Sequence, residues 1–213
     1  MDILYLGQSS FKIKGKEATL IADPFNPKLL GLKFPSIEAN IITISHDHPD
    51  HNFLGQIEGN PVVINGPGEY EIKGVKIYGL KTFHDDKNGE ERGINTIYQI
   101  NMDGINLLHL GDLGHKLKPE TIEEIKTPDI LFIPVGGFFT INANVATEII
   151  AHLEPKIIIP MHYKTQMGNE YQAKLDELGV FLKSMGKDHL MPQPKLHITR
   201  DSIPAENQII VLE

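Results

Sequence analysis

The sequence predicts a mixed α/β domain with helices packed outside layered sheets, and three observations carry that prediction. Apolar or alternating runs of strand length recur from one end of the chain to the other, segments with helical spacing of apolar residues are interleaved among them in the second half, and no low-complexity linker divides the chain. At 213 residues with 40% hydrophobic content, the material suffices for one substantial core, so residues 1–213 are expected to form a single domain. No internal repeat stands out.

The first quarter reads as a meander of strands at Ile3 to Leu6, Phe11 to Lys14 and Ala18 to Ala22, with a turn at Gly15 and Lys16, ending at Asp23-Pro24. Residues 25–38 carry Pro, Gly, Phe and Leu without a period and read as a loop able to overhang a site. A strand over Asn40 to Ser45 runs into His-Asp-His-Pro-Asp-His, and further strands are expected near residues 61–64, 69–83, 94–101 and 105–110. Helical spacing marks Pro119 to Lys126, Asn142 to Leu153 and Glu170 to Ser184. Continuous apolar runs at Ile130 to Val135 and Lys156 to Ile159 read as buried strands, and Leu196 to Thr199 and Gln208 to Leu212 complete the list of expected strands.

Composition excludes several functions. Lys and Arg total 20 against 28 Asp and Glu, a net charge of −8 that offers no general attraction to phosphate backbones or anionic membranes, so a nucleic-acid partner is not expected. With no Cys, disulfides and thiolate metal sites are ruled out, and any transition metal must be held by imidazole and carboxylate. The opening residues lack a basic region followed by a long apolar one, and no stretch reaches the roughly 20 apolar residues that span a bilayer. A soluble cytoplasmic protein acting on a small molecule is the expectation, with homo-oligomerisation left open.

Ten His residues are present, and their placement carries the chemistry. His46 and His48, two apart after a strand, project to one side if the backbone stays extended. Pro49 then imposes a bend that turns Asp50 and His51 toward a second point, so four ligands within six residues can serve two metals. Further ligand types stand at strand ends. His84 ends one strand, Asp112 follows another in His-Leu-Gly-Asp, where Gly111 permits a sharp turn, and His162 follows a third in Pro-Met-His-Tyr. Taken singly each reads as a surface group or cap; together with the first cluster they read as a metal site.

On these residues the chain resembles the metallo-beta-lactamase superfamily, and most closely its branch similar to ascorbate-phosphate lactonases and candidate zinc hydrolases. The resemblance spans Gly7 to Phe11, Asp23-Pro24, His46 to His51, His84, His109 to Gly114, Pro134 to Gly137 and Ile159 to Lys164, in the family's order. It implies a four-layer sandwich of two mixed β-sheets flanked by helices, with metals at one edge. It also implies that His46, His48 and His84 hold one metal, that Asp50, His51 and His162 hold the other, that Asp112 bridges them, and that Asp23 orients a ligand imidazole. Gln8 stands where many relatives in this branch carry histidine. The chain is short for the superfamily, and it has no large insertion of the kind that nucleic-acid-processing relatives use.

The chemistry expected of such a site is hydrolysis by a hydroxide shared between two divalent ions about 3.5 to 4 Å apart, with Asp50 orienting the nucleophile. Zinc is the first expectation, and nitrogen and oxygen donors also suit manganese or iron. His115 is a candidate proton donor or substrate contact, whereas His109, out of phase with Leu108 and Leu110, reads as a structural hydrogen-bonding residue. His152, His189 and His197 read as ordinary. Arg92, in the Gly-containing stretch after His84, and Lys164, just past His162, are candidate anchors for an anionic substrate, each with an ordinary ion pair or solvated side chain as the alternative. They favour a small anionic ester, lactone or phosphoester. The alternatives are a phosphodiesterase or nuclease, a di-iron redox protein, and a metal-binding protein without turnover.

Overall fold

Residues 1–165, 169, 170 and 172–213 are described by a computed structural model of the chain. The strands are β1 (Asp2–Gly7), β2 (Ser10–Lys14), β3 (Thr19–Ala22), β4 (Ile37–Glu38), β5 (Ile41–Thr43), β6 (Ile57–Glu58), β7 (Val62–Ile64), β8 (Gly68–Ile72), β9 (Val75–Phe83), β10 (Ile94–Met102), β11 (Ile105–His109), β12 (Ile130–Pro134), β13 (Ile157–Met161), β14 (Leu196–His197) and β15 (Gln208–Ile209). The helices are α1 (Pro27–Leu30), α2 (Pro119–Glu124), α3 (Ala143–Leu153) and α4 (Leu178–Ser184). One mixed sheet has the order β14-β1-β2-β3-β5-β7, the other has the order β15-β13-β12-β11-β10-β9-β8, and β4 pairs with β6 beside them.

Side-chain alternation sorts the apolar residues into three buried layers. Ile3, Phe11, Ile13, Leu20 and Ile41 of the first sheet meet Ile77, Tyr98, Ile100, Leu107, Phe132 and Ile159 of the second in a central layer. On the far side of the second sheet, Leu108, Leu131, Ile133 and Ile158 pack against Ala146, Ile149, Ile150 and Leu153 of α3 and Phe181 and Leu182 of α4. β12 and β13 are buried at every position because both faces are covered, which is why they read as continuous apolar runs.

The third layer corrects one expectation. The segment 25–38 is no overhanging loop: Phe25, Leu30, Leu32, Phe34 and Ile37 are buried against Ile21, Ile42 and Ile44 on the outer face of the first sheet. Its apolar residues follow no period because only α1 is helical there, with Asn26 capping it and Gly31 ending it in the left-handed conformation. A second correction concerns residues 170–184. Residue 171 lies outside the described residues, and the rest forms a 3-10 turn at Gln172–Lys174 and then α4. The break occurs because the backbone of Asp176 bonds instead to Gly136 O and Lys164 N, a tertiary pairing that outweighs helix propensity.

Topology then fixes where the chain can place reactive groups. β9 is antiparallel to β10 and β10 to β11, while β11, β12 and β13 are parallel, so β9, β11, β12 and β13 end at one edge of their sheet. In the first sheet β1, β3 and β5 likewise share a direction. Residues following these strands, among them Gln8, Asp23, His46, His84, Asp112 and His162, therefore occupy strand-end positions of the kind where open sheets bind ligands. No helix among the described residues is long and apolar enough to cross a membrane.

Candidate metal centre

The strand-end residues converge into two groups, His46 with His48 and His84, and Asp50 with His51, Asp112 and His162; within each, ligand atoms lie within 4.8 Å of one another. All seven sequence-predicted ligands are thus brought together. The first histidines reach the site on a bent backbone, since β5 ends at Thr43 and the amides of His51 and Asn52 both turn back to His48 O. His84 follows β9 directly. Asp112 follows a turn at Gly111, whose φ of +55° suits glycine.

Asp112 joins the groups. Its Oδ2 lies 3.1 Å from His162 Nε2, 3.3 Å from His51 Nε2, 3.4 Å from His84 Nε2 and 4.0 Å from His46 Nε2. Yet Asp112 Oδ2, His46 Nε2, His51 Nε2 and His162 Nε2 are buried without a hydrogen-bond partner. Burying four such atoms unpaired costs on the order of several kcal/mol, a cost that a cation at their centre removes. The donor set of imidazole nitrogens and carboxylate oxygens fits a divalent transition ion.

Outward-facing hydrogen bonds point two of these rings inward. Asp23 Oδ2 accepts from His51 Nδ1 at 2.9 Å and from Ser45 Oγ at 2.6 Å, and that hydroxyl in turn accepts from His46 Nδ1 at 2.9 Å. The Ser45 amide donates to the other oxygen of Asp23 at 2.7 Å. One carboxylate, directly for His51 and through Ser45 for His46, therefore anchors Nδ1 of an imidazole in each group and turns both Nε2 atoms toward the site. Asn95 holds Asp112, accepting from its amide at 2.9 Å and donating to Leu110 O at 3.0 Å. Two glycines admit the ligand strands closely: a Cβ on Gly114 would lie 2.2 Å from the His84 carbonyl carbon, and one on Gly136 would lie 2.1 Å from His162 O. Gln8, Asp23 and His162 adopt φ of 56°, 44° and 52°, conformations costing about 1 to 3 kcal/mol each that persist where surrounding structure enforces them.

Charge divides the site unevenly. Burial, reinforced by the neighbouring imidazoles, pushes His46 down to about 3, and burial also lowers His84. Burial opposes a charge on His51 too, but Asp112 and Asp50 outweigh it and hold that imidazole well above its ordinary value. Burial opposes ionisation of Asp112 and Asp50, and the facing His162 and His51 imidazoles for Asp112, and chiefly His51 for Asp50, overcome it.

The remaining expected site residues are not members of the two ligand groups and have partners of their own. His115 accepts from the Phe83 amide at 3.2 Å on Nε2 and bonds Lys116 O at 2.7 Å through Nδ1, so both ring nitrogens serve the backbone. Arg92 faces Glu91 at 3.9 Å and lies 5.9 Å from the centroid of the Phe139 ring, while Lys164 faces Glu177 at 3.6 Å. The loop carrying Arg92 is organised by Asp85, whose carboxylate accepts from the amides of Lys87, Gly89, Glu91 and Arg92. His109 is buried and bonds Ser9 O at 2.8 Å. Sequence reasoning missed Ser9, Ser45 and Gln172. Of these, Ser45, adjoining His46, and Ser9, inside the segment Gly7 to Phe11, carried a positional signal.

Comparison with known proteins agrees with this geometry. Residues 2–162 match the beta-lactamase superfamily domain. The chain is 31% identical over 195 residues to a UPF0173 metal-dependent hydrolase of Thermococcus onnurineus, covering 78% of this chain and 85% of that protein. It is also 31% identical over 191 residues to one from Thermoplasma volcanium, covering 78% and 84%. Among solved structures, it superposes with a TM-score of 0.82 and 35% identity on a candidate Zn-dependent hydrolase of the metallo-beta-lactamase superfamily from Thermotoga maritima, covering 99% of this chain and 97% of that one. With strand-end histidines and aspartates gathered into a metal-binding cluster, the chain belongs to the metal-dependent hydrolases of the metallo-beta-lactamase superfamily.

Proposed function

We propose that the protein hydrolyses a small anionic ester, lactone or phosphoester using two divalent ions, zinc foremost, held by His46, His48 and His84 on one side and Asp50, His51 and His162 on the other, with Asp112 common to both. The observation that carries this reading is Asp112 Oδ2, buried without a hydrogen-bond partner while within 4.0 Å of histidines from both groups. When bound, the ions supply an activated water at neutral pH and polarise the oxygen that gains charge during attack. Zinc is put first by similarity to the Thermotoga maritima protein, described as Zn-dependent; the donor set fits zinc, manganese and iron alike.

The chain's own residues have separate tasks. Asp112 and Asp50 stay ionised beside His162 and His51, so two carboxylates are present to balance cation charge. Asp50 orients the attacking water. Asp23 and Ser45 keep the His51 and His46 rings turned with Nε2 toward the site. Arg92 and Lys164 are the proposed anchors for the anionic end of the substrate, each exchanging its acidic neighbour for that anion. The test is elemental analysis of reconstituted protein, followed by chromogenic ester, lactone, phosphodiester and thioester substrates with zinc, manganese or iron restored. Close to two ions per chain and turnover of an anionic ester, lactone or phosphomonoester support the reading. Preference for polymeric phosphodiesters, a coloured iron protein without hydrolysis, or metal uptake without turnover would each replace it.

A further inference from the structure

A buried chain of side-chain amides leads from the surface of the 3-10 turn to the metal ligands. Thr165 Oγ1 donates to Gln172 Oε1 at 2.7 Å, Gln172 Nε2 donates to Gln8 Oε1 at 2.9 Å, and Gln8 Nε2 donates to Asp50 Oδ2 at 3.1 Å. Gln8 and Gln172 are both fully buried. Every link points the same way, so each amide is locked against the half-turn that would exchange its oxygen and nitrogen. Were the Gln8 amide reversed, its oxygen would face the Asp50 carboxylate, acceptor against acceptor. The last link matters for the ion because Asp50 Oδ2, which lies 3.4 Å from His51 Nε2, faces the other ligands of its group.

Gln8 also acts through its backbone. Its carbonyl accepts from the His162 amide at 2.8 Å and the Tyr5 hydroxyl at 2.8 Å, and the next residue, Ser9, donates from Oγ to Asp112 Oδ1 at 3.3 Å. The turn between β1 and β2 thus contacts Asp50 and His162 of one ligand group, through Gln8, and Asp112, which the two groups share, through Ser9; no hydrogen bond from it to His46, His48 or His84 occurs among the described residues. The left-handed backbone of Gln8 is the local strain that this arrangement sustains.

The geometry points to Gln8, oriented by Gln172 and Thr165, as a positioning residue that holds Asp50 for one ion and sets the affinity of that ion alone. This rests on the two-ion reading above. It is tested by binding of zinc and of cobalt(II) to metal-free protein, followed calorimetrically and by cobalt absorption, with melting of the metal-free proteins as the control for folding. Gln8→Met keeps the length of the side chain and removes its amide. The expected result is weakening of one binding step by about 10- to 100-fold, the usual effect of losing an outer partner of a ligand, with the other step unchanged. His48→Ala should affect the opposite step. Gln172→Met touches no ligand, and should weaken the same step as Gln8→Met by a smaller factor, which a merely structural role would not produce. Unchanged steps in Gln8→Met, or equal weakening of both, overturn the inference. If the wild type binds a single ion, the two-ion reading falls, and the role of Gln8 stands only if Gln8→Met weakens that one step. Should Gln8→Met fail to fold, the result for Gln172→Met decides.

Discussion

His46, His48 and His84 form a ligand group of imidazoles alone, with His48 half-exposed, whereas Asp50, His51, Asp112 and His162 form a group with two carboxylates in which every member is buried. The first is shaped by one bent segment and the end of β9. The second is braced from several directions, by Asp23 on His51, by Asn95 on Asp112, and by the β1–β2 turn on the rest. The difference assigns tasks within one site. Under the proposed two-ion reading, the carboxylate-rich group is the one that would hold its ion by charge and rigid support, and the histidine group, through His48, is the less buried side.

The largest expected effect comes from removing what the groups share. Asp112→Ala should lower kcat/KM on the order of 1000-fold, about 4 kcal/mol of transition-state stabilisation, and reduce ion content in both groups. His115→Ala should cost less than about 3-fold, below 1 kcal/mol, because its ring serves the backbone. Equal losses in steady-state assays, or an Asp112→Ala protein with full metal content and turnover, would break the division. Next, exhaustive chelation should lower Tm on the order of 10 °C, since ligand at about 1000 times Kd contributes about 4 kcal/mol and each kcal/mol moves Tm by about 2 to 4 °C for a chain of this size. A melting curve indifferent to chelator would mean that neither group holds an ion in the folded state.

Two smaller effects sharpen the comparison. Asp85→Ala removes the acceptor for four amides of the loop following His84, so deuterium exchange at residues 85–93 should rise while exchange near His162 stays constant. Spread of the effect to both regions would show that the groups are not separately supported. Smallest of all, Arg92→Ala should raise KM for an anionic substrate by about 3- to 10-fold, less than a full charge-assisted bond would give, because Arg92 already faces Glu91. Comparing it with Lys164→Ala reveals which side of the site meets the anionic end. No change in KM for either variant removes the support for an anionic substrate.

The clustering of the seven His and Asp residues was legible in the sequence because they follow apolar runs, and strand ends are where a sheet delivers side chains to its edge. Most strands of the second sheet were legible for the same reason, but the single strand expected near residues 69–83 is a hairpin of β8 and β9, because Lys73 and Gly74 take positive φ of 50° and 74° and turn the chain back on itself. Segment 25–38 was not, since irregular backbone buries Phe25, Leu30 and Phe34 without leaving a period to read. The helix expected over residues 170–184 was overridden at Asp176 by hydrogen bonds to Gly136 and Lys164, partners remote in the chain. Gln8 and Gln172 are 164 positions apart; Gln8 stood out only as a replacement for a family histidine, and nothing in the sequence pointed to Gln172 as its partner. His109 could be read correctly as structural because strand alternation separates it from Leu108 and Leu110.

Gly114 and Gly136 act as spacers whose thickness is that of a bare backbone. A methyl group at either position would stand 2.1 to 2.2 Å from the main chain of His84 or His162, distances at which one of the two must retreat. Neither glycine has a side chain to offer a substrate, yet each sets how near its ligand can come to the other metal-binding residues. In a library of random substitutions, both positions should therefore be as intolerant as the histidines themselves, and a survivor carrying alanine at Gly136 should arise only with a compensating change along β13 or the loop that follows it.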